Sequence, residues 1–338
     1  MIRHEITARI ALEAGGVLER ARIVYHTSAE RWDGRPVIWI CHALTANSDP
    51  EDWWSGMVGP GKGIDTDRYF VACVNMLGSP YGSEGPAREN PATGKPWLLD
   101  FPRVTIRDMV QASAIVRKEL GIDTIELIVG SSIGGFQAIE WAITEPSVFK
   151  KALFIATAPR ISPGATAMNE AQRMAIEADP TFFAAEDLGG GAAGLKCARA
   201  QALISYRSYE GYALTQAEED PDTLFACRAA SYERYQGEKL VRRDFDAYSY
   251  RTLTFALDSH NTGRGRGGVA KALSLIQADV TVVAIESDNL FPARESAAWS
   301  ALLPGADYIE IPSRFGHDGF LLENDRLTAI INGMLCKY

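Results

Sequence analysis

Cysteine is scarce in this chain, with five residues among 338, and the five are scattered. Cys41, Cys73, Cys197, Cys227 and Cys336 are odd in number and form no C-x-x-C pair. This pattern excludes a disulfide framework and a zinc site, so we expect no bound metal. Cys41 and Cys73 lie in apolar runs and are interpreted as small core residues, which fits a reducing, cytoplasmic location.

A net positive charge and long apolar runs are also missing. The net charge is −9 at pH 7 and the isoelectric point is about 5.2, whereas a nucleic-acid-binding protein is more often basic. No segment reaches the roughly 18 apolar residues that a membrane span needs. Charged residues interrupt the N-terminal segment 1–16, so it does not predict a signal peptide. We therefore expect neither a nucleic-acid partner nor a membrane partner.

The chain does contain a series of short apolar runs, most of them rich in β-branched or aromatic residues. The predicted strands are VIWIC (37–41), YFVACVNM (69–76), TIELIVG (124–130), KALFIATA (151–158), VTVVAIES (280–287) and ADYIEIP (306–312). Helical patterns lie between several of them, as in the segment 105–122, which ends at Gly121. This alternation predicts an α/β fold with a mostly parallel sheet that is flanked by helices.

The pattern changes over residues 161–275, where strand-like runs give way to helix-like, more charged segments. We interpret this stretch as a helical insertion between two strands. The predicted organisation is a core domain of residues 1–160 and 276–338, interrupted by that insertion. The run HNTGRGRGG (260–268) is predicted to be a flexible, solvated loop that leaves the insertion.

Residues 130–134 read GSSIG, which fits the pattern G-x-S-x-G only when Ser132 is its centre. Between a strand and an apolar helix, this pattern forms a nucleophile elbow, a strained turn that projects the serine above the sheet. The flanking residues must be small because the turn brings neighbouring backbone very close. Ser132 is therefore the predicted nucleophile. The alternative is a serine that only caps the following helix.

A serine nucleophile needs a base and an acid that orients the base. In α/β-hydrolases the chain order is serine, acid, histidine. Of the two histidines downstream of Ser132, His317 follows the last predicted strand, whereas His260 lies in the Gly/Arg-rich loop. Asp288 follows the preceding strand at once, and Glu286 is a weaker candidate inside that strand. We predict a triad of Ser132, Asp288 and His317.

An acyl-transfer site also needs amide donors for the oxyanion that forms on the attacked carbonyl. One donor is the residue after the nucleophile, here Ile133. The second comes from the loop after an early strand, and the Leu44 amide is the candidate. His42 starts that loop, and we interpret it as a residue that shapes the loop.

Longer motifs are spread over nearly the whole chain. They are HALTAN (42–47), WWSGMVGPGKGIDTDRYFV (53–71), LGSPYGSEGP (77–86), NPATGKPW (90–97), DFPRVTIRDMV (100–110), NEAQRMAIEADP (169–180), GLKCAR (194–199), SYRS (205–208), SDNLFP (287–292) and FGHDGFL (315–321). Together with the elbow, these stretches resemble the homoserine O-acyltransferase family (homoserine O-acetyltransferase-like) of the α/β-hydrolase superfamily. The motifs are hard to meet by chance, and they favour a transferase over a plain esterase.

The resemblance implies a ping-pong reaction in methionine biosynthesis, in which the serine takes an acyl group, with acetyl as the first choice, from acyl-CoA and passes it to the hydroxyl of L-homoserine. It implies small-molecule substrates and no permanently bound cofactor. Arg199 would hold the substrate α-carboxylate, Asp318 its α-ammonium group, and Tyr206 would line the same pocket. The insertion would act as a lid and as the interface of a homodimer.

The sequence departs from the family pattern at two places. The elbow of relatives is closer to GGSMGG, so Ser131 and Ile133 stand where Gly and Met are usual, and the glycine-rich loop contains Pro80 and Glu84. These changes leave two choices open. The donor is acetyl-CoA or succinyl-CoA, and the acceptor is homoserine or serine. A serine esterase on the same triad and a non-catalytic binding protein of the same fold are the remaining alternatives.

Overall fold

One eight-stranded sheet organises the fold, which is described here by a computed structural model of residues 1–336. Its strands are β1 (Ile2–Ala11), β2 (Val17–Thr27), β3 (Val37–Cys41), β4 (Phe70–Val74), β5 (Ile125–Ser131), β6 (Phe149–Ile155), β7 (Asp279–Ile285) and β8 (Asp307–Ile311). Their order across the sheet is β1-β2-β4-β3-β5-β6-β7-β8. All pairs from β4 to β8 are parallel, which confirms the predicted mostly parallel sheet.

Helices cover both faces of this sheet. They are α1 (Pro50–Trp53), α2 (Ile106–Glu119), α3 (Ile133–Thr144), α4 (Pro163–Glu177), α5 (Ala192–Tyr206), α6 (Tyr209–Gln216), α7 (Arg228–Arg242), α8 (Ala247–Asp258), α9 (Val269–Leu273), α10 (Ala293–Ser300), α11 (Gly319–Leu322) and α12 (Asn324–Leu335). Short 3₁₀ turns form at Leu98–Asp100 and Gly316–Asp318. Within residues 1–336, no helix combines the length and apolar character needed to cross a bilayer.

The core lies in two layers, one on each face of the sheet. Side chains of β3 alternate between them: Trp39 and Cys41 pack with α2 and α3, whereas Ile38 and Ile40 pack with α12. Every residue of β3 is buried, as expected for a strand covered on both faces. Cys41 and Cys73 are buried free thiols, which confirms their interpretation as core residues.

The N-terminal hairpin of β1 and β2 is absent from the sequence prediction. The two strands pair antiparallel, and β2 joins the parallel part by pairing antiparallel with β4. Residues of β1 alternate between half-buried and exposed positions, which is the period of two of a half-covered strand. The exposed positions carry charges, and Arg9 pairs across the hairpin with Glu19. This alternation of charged and apolar residues was the signal for β1 in the sequence. It is weaker than the continuous apolar runs that mark the inner strands.

Helices α4–α9 all lie between β6 and β7, at the position of the predicted helical insertion. The sequence predicts a flexible, solvated loop at 260–268; Arg264 and Gly265 are exposed, but ion pairs hold both of its arginines. Arg264 donates to both carboxylate oxygens of Glu13, at 2.8 and 2.9 Å, and Arg266 pairs with the buried Glu140. These ion pairs fix the loop against the N-terminal hairpin and α3.

Candidate active site

Ser132 occupies the turn between β5 and α3. Its backbone angles are φ 54° and ψ −128°, a region that residues with a Cβ rarely adopt. The Ser132 side chain makes no capping hydrogen bond to α3, although the residue stands at the N-cap position. The strained turn is therefore not explained by helix capping, and it has the shape of a nucleophile elbow.

The glycines around Ser132 are required by close packing of backbone. A Cβ on Gly130 would lie 2.3 Å from the Gly134 carbonyl oxygen, and a Cβ on Gly134 would lie 2.0 Å from the carbonyl oxygen of Cys41. Both distances are far below van der Waals contact, so only glycine fits at either position. The elbow is thereby pressed against the end of β3, which leads into the loop that contains Leu44.

His317 and Asp288 lie in the loops that follow β8 and β7. The Nδ1–H of His317 donates to Oδ2 of Asp288 at 2.7 Å. The other carboxylate oxygen, Oδ1, accepts hydrogen bonds from the Leu290 and Phe291 amides at 2.8 and 3.0 Å. Asp288 is therefore held by its own turn while it orients the imidazole, and Nε2 of His317 is left to exchange protons.

The His317 ring is buried, with 3% exposure, between aromatic side chains. The ring centroids of Tyr206 and Phe291 lie 5.6 and 5.4 Å from that of His317, and both residues also line the cavity next to Ser132. Burial lowers the pKa of His317, but Asp288 and then Asp318 raise it, and the net pKa lies above the ordinary 6.5.

The rejected candidates are placed elsewhere. Glu286 is exposed, and no hydrogen bond joins it to His317 within residues 1–336. His260 is buried, stacks on Phe136 with ring centroids 4.0 Å apart, and hydrogen bonds through Nε2 to the Ala158 carbonyl. Burial lowers the pKa of His260 to about 3, so this histidine stays neutral as a core residue.

Of the two predicted oxyanion donors, Ile133 directly follows Ser132 and Leu44 lines the same cavity as Ser132. Ile133 is the first residue of α3, so its amide has no acceptor within the helix. In the described chain, the Leu44 amide donates to no other backbone group. His42 supports this loop, because its Nδ1–H donates to the Ala43 carbonyl and its Nε2 accepts from the Met76 amide at 3.1 Å. Burial lowers the pKa of His42 to about 4, which keeps it neutral.

The cavity beside Ser132 is small, about 20 Å³, and mostly apolar. Its lining residues are Leu44, Ser132, Ile161, Ala165, Met168, Asn169, Gln172, Ser205, Tyr206, Leu257, Leu290 and Phe291. Lysine, arginine and histidine are absent from this lining. Most of the residues come from the segment between β6 and β7, so the insertion forms much of the wall over Ser132.

Arg199, Tyr206 and Asp318 gather around His317. The Arg199 guanidinium carbon lies 5.7 Å from the centre of the Tyr206 ring, which in turn flanks His317. Among residues 1–336, Arg199 has no ion-pair partner. The Tyr250 hydroxyl donates to Oε1 of Gln172 at 2.7 Å. Gln172 and Tyr206 both line the cavity beside Ser132.

Sequence reasoning missed a partner of Asp318. The Nε–H of Arg207 donates to Oδ2 of Asp318 at 3.0 Å, so the carboxylate next to His317 is already paired with a cation. Arg207 directly follows Tyr206 in the SYRS motif, and this adjacency was the available signal. Within the described residues, no group of histidine, cysteine and carboxylate side chains is arranged to hold a metal ion.

Comparison with known proteins decides the family. A family model for the alpha/beta hydrolase fold matches residues 36–323. The homoserine O-acetyltransferase of Chlorobaculum tepidum is 40% identical over 336 residues, which cover 97% of this chain and 92% of that protein. The chain belongs to the homoserine O-acetyltransferase family of the α/β-hydrolase fold. Its predicted family membership and fold are thereby confirmed.

Solved structures of similar proteins have the same fold as this member of the homoserine O-acetyltransferase family. The homoserine O-acetyltransferase of Staphylococcus aureus has a TM-score of 0.83 at 29% identity, with 100% of this chain and 96% of that chain covered. An acetylester hydrolase from Corynebacterium glutamicum reaches 0.85 at 23% identity, covering 98% and 96%. Since transferases and hydrolases share the backbone this closely, the overall shape does not distinguish the two reactions.

Ser131 is the departure from the family elbow that lies nearest the reacting atom. It is the last residue of β5, it is 1% exposed, and its hydroxyl has no hydrogen-bond partner in the described chain. A buried hydroxyl without a partner destabilises the folded state. Ser131 therefore has no visible role in orienting Ser132.

Proposed function

We propose that this chain transfers an acetyl group from acetyl-CoA to the side-chain hydroxyl of L-homoserine, with Ser132 as the acyl carrier. The observation that carries the proposal is the similarity to homoserine O-acetyltransferases over almost the whole chain. The region of similarity includes Ser132, Asp288 and His317, the proposed nucleophile, acid and base of a ping-pong acyl transfer. Acetyl-CoA is then a co-substrate and no cofactor is permanently bound.

The first half-reaction forms the acyl-enzyme. His317 takes the Ser132 hydroxyl proton through Nε2 while Oγ attacks the thioester carbonyl, and Asp288 stabilises the imidazolium. The Leu44 and Ile133 amides hold the oxyanion; the loss of one such donor raises the barrier by about 3 kcal/mol. When the C–S bond breaks, His317 returns the proton to the sulfur and CoA leaves as the thiol.

The second half-reaction transfers the acetyl group. His317 takes the proton of the homoserine hydroxyl, whose oxygen attacks the acetyl-serine carbonyl. Collapse of the intermediate breaks the bond to Ser132, His317 protonates Oγ, and O-acetyl-L-homoserine is released. Transfer exceeds hydrolysis only if the pocket excludes water and orients the acceptor. The small apolar cavity and the wall formed by the insertion support that requirement.

The cavity wall favours acetyl over succinyl as the transferred group. A succinyl group carries a carboxylate at its far end, and burying that charge without a cation is unfavourable. The wall beside Ser132 has no lysine or arginine to pair with such a carboxylate. We therefore infer acetyl-CoA as the preferred donor.

The charged residues near His317 suit the amino-acid end of the acceptor. Within residues 1–336 the Arg199 guanidinium makes no ion pair, so it is the proposed clamp for the α-carboxylate. Asp318 is the proposed partner of the α-ammonium group, and Tyr206 forms the wall between the two. Homoserine places its hydroxyl one methylene farther from these charges than serine does. This greater distance is the basis of the proposed preference for homoserine over serine as acceptor.

We propose that the insertion, residues 161–275, is a lid on the core domain of residues 1–160 and 276–338. It also carries most of the large apolar side chains that are exposed, including Ile204, Leu214 and Phe225. Exposed apolar side chains in this number suit association with a second copy of the chain. Sedimentation velocity on Ile204→Glu should show a monomer where the unmodified protein shows a homodimer.

The proposed reaction belongs to methionine biosynthesis, which is the role implied by the homoserine O-acetyltransferase family. We also propose a cytoplasmic location. The neighbouring buried thiols of Cys41 and Cys73 are both free, which suits a reducing compartment where acetyl-CoA is made and used.

A CoA-release assay tests the proposal when acetyl-CoA and succinyl-CoA are each combined with homoserine and with serine. The expected result is strong acceleration by homoserine with acetyl-CoA, and formation of O-acetylhomoserine. Turnover of p-nitrophenyl acetate that no amino acid changes, with no acceleration of CoA release, would assign the chain to the hydrolases instead. A fluorophosphonate probe that fails to label Ser132 would favour a non-catalytic binding protein.

A further inference from the structure

The ion pair between Arg207 and Asp318 links the insertion to the catalytic loop. Arg207 follows α5 directly, and Asp318 is the neighbour of His317. Both side chains are largely shielded, with 20% and 15% of their surfaces exposed. An ion pair in such a position is weakly screened by water and holds its carboxylate in one orientation.

This ion pair is not needed to hold the two segments together. The Ser208 hydroxyl donates to the Arg314 carbonyl, and the Gly211 amide donates to Ser208 Oγ at 2.9 Å. Gly316 is packed so tightly that a Cβ there would lie 2.7 Å from the Tyr206 carbonyl oxygen. Backbone contacts already fix the position of the loop, so the Arg207 side chain has a separate effect.

That effect concerns the two oxygens of Asp318. Oδ2 accepts from Arg207, whereas Oδ1 has no hydrogen-bond partner among residues 1–336. The neighbouring charged and titratable groups are Arg199, Tyr206 and Arg207 of α5 and its end, Tyr232 and Glu233 of α7, and Asp288 and His317. Asp318 is thus paired with one cation of the insertion through Oδ2, and both Asp318 and Arg199 act electrostatically on Tyr206.

We infer that Arg207 is a positioning residue for the acceptor: it holds Asp318 through Oδ2 so that Oδ1 faces the α-ammonium group of the incoming amino acid. The inference rests on the proposed function, because it names the residue that orders the acceptor subsite of that reaction. Arg199 and the ordered Asp318 carboxylate are then the two opposite charges with which an amino-acid zwitterion would pair. An acceptor without an α-ammonium group gains nothing from this arrangement.

If Arg207 positions Asp318, its loss should impair transfer to homoserine far more than acetylation of Ser132. Arg207→Met leaves Asp318 free to rotate and to be solvated, so the KM for homoserine should rise roughly tenfold, as for a lost charge-assisted hydrogen bond. The rate of Ser132 acetylation, measured as the CoA burst at a pH well above the titration of His317, should change less than about twofold. Because Asp318 already raises the pKa of His317, loss of the Arg207 charge should move the acidic limb of acylation to higher pH.

A double-mutant cycle tests the inference on the full-length enzyme with Arg207→Met, Asp318→Asn and the double variant. The two single changes should each weaken homoserine use, and the second should add little when the first is present. Arg207→Lys, which keeps the charge, should recover part of the loss. Arg314→Met is the matched control, since Arg314 is an exposed arginine of the same loop that does not contact Asp318.

The outcomes separate this inference from the proposed function. If the unmodified enzyme uses no amino-acid acceptor, the proposed function fails and the inference fails with it. If it uses homoserine and the effects of Arg207→Met and Asp318→Asn simply add, or if Arg207→Met slows the CoA burst as much as transfer, the inference alone is overturned. Should Arg207→Met fold poorly in a thermal melt, Arg207→Lys in the same cycle decides: a raised homoserine KM with an unchanged CoA burst supports the role, and equal loss in both half-reactions, or no loss in either, overturns it.

Discussion

The strained backbone at Ser132 predicts that glycine there should stabilise the protein while abolishing activity. A residue with a Cβ at φ 54° and ψ −128° costs about 1–3 kcal/mol of folding free energy, whereas glycine adopts such angles freely. Glycine also gives the unfolded chain more conformational freedom than alanine does, which offsets about 0.4–1 kcal/mol of the strain energy that glycine relieves. Ser132→Gly should therefore exceed Ser132→Ala in stability by about 1 kcal/mol, since alanine keeps the Cβ and both lack the hydroxyl.

The expected shift is measurable by scanning calorimetry or circular dichroism. At about 2.1 cal/mol/K of unfolding entropy per residue, 1 kcal/mol corresponds to about 1.4 °C in the Tm of a 338-residue chain. Ser131 supplies the control, because it lies in β5 with ordinary strand geometry. At that position glycine should be less stable than alanine, which reverses the sign. If alanine is the more stable residue at both positions, the strain argument is refuted.

Four further predictions concern activity and packing. Ser132→Ala should abolish CoA release, whereas Ser131→Ala should keep most of it and leave the Tm equal or higher; the reverse would overturn the choice of serine. The acidic limb of acylation should lie above pH 6.5, since neutral His317 is the base and its pKa is raised; a pH–rate profile with a midpoint below 6.5 would contradict this. Arg199→Ala should harm homoserine use far more than the CoA burst, and normal acceptor kinetics would exclude the clamp. Gly134→Ala should destabilise by about 3 kcal/mol because its Cβ meets the Cys41 carbonyl, whereas Gly333→Ala, with open space around it, should not; equal melting curves would refute the packing account.

Much of the sheet could be predicted because its inner strands are buried on both faces. Runs such as 37–41 are apolar throughout, so composition alone marks them as strands. The hairpin of β1 and β2 lies at the sheet edge, where one face is solvated and charges alternate with apolar residues. The charges that alternate with the apolar residues of β1 conceal the strand from a search for apolar runs.

Within the candidate site, local motifs were predictable and pairings distant in sequence were not. The elbow around Ser132 is local, because Gly130 and Gly134 lie within two positions of it. The positions of Asp288 and His317 follow from chain order and strand ends. The Arg207–Asp318 pair joins residues 111 positions apart across the insertion and the core, so no spacing rule reports it. The ion pairs of Arg264 and Arg266 were not predictable for the same reason, since their carboxylate partners lie far away in the sequence.

The most direct test of the account is to trap the acyl-enzyme and follow its fate. Enzyme mixed with acetyl-CoA alone would be digested and examined by peptide mass spectrometry, with and without a chase of homoserine. The account predicts one acetyl group on Ser132, lost within one turnover when homoserine is added, with O-acetylhomoserine formed in equal amount. An acetyl group found on Ser131, or one lost to water equally fast with and without homoserine, would contradict it.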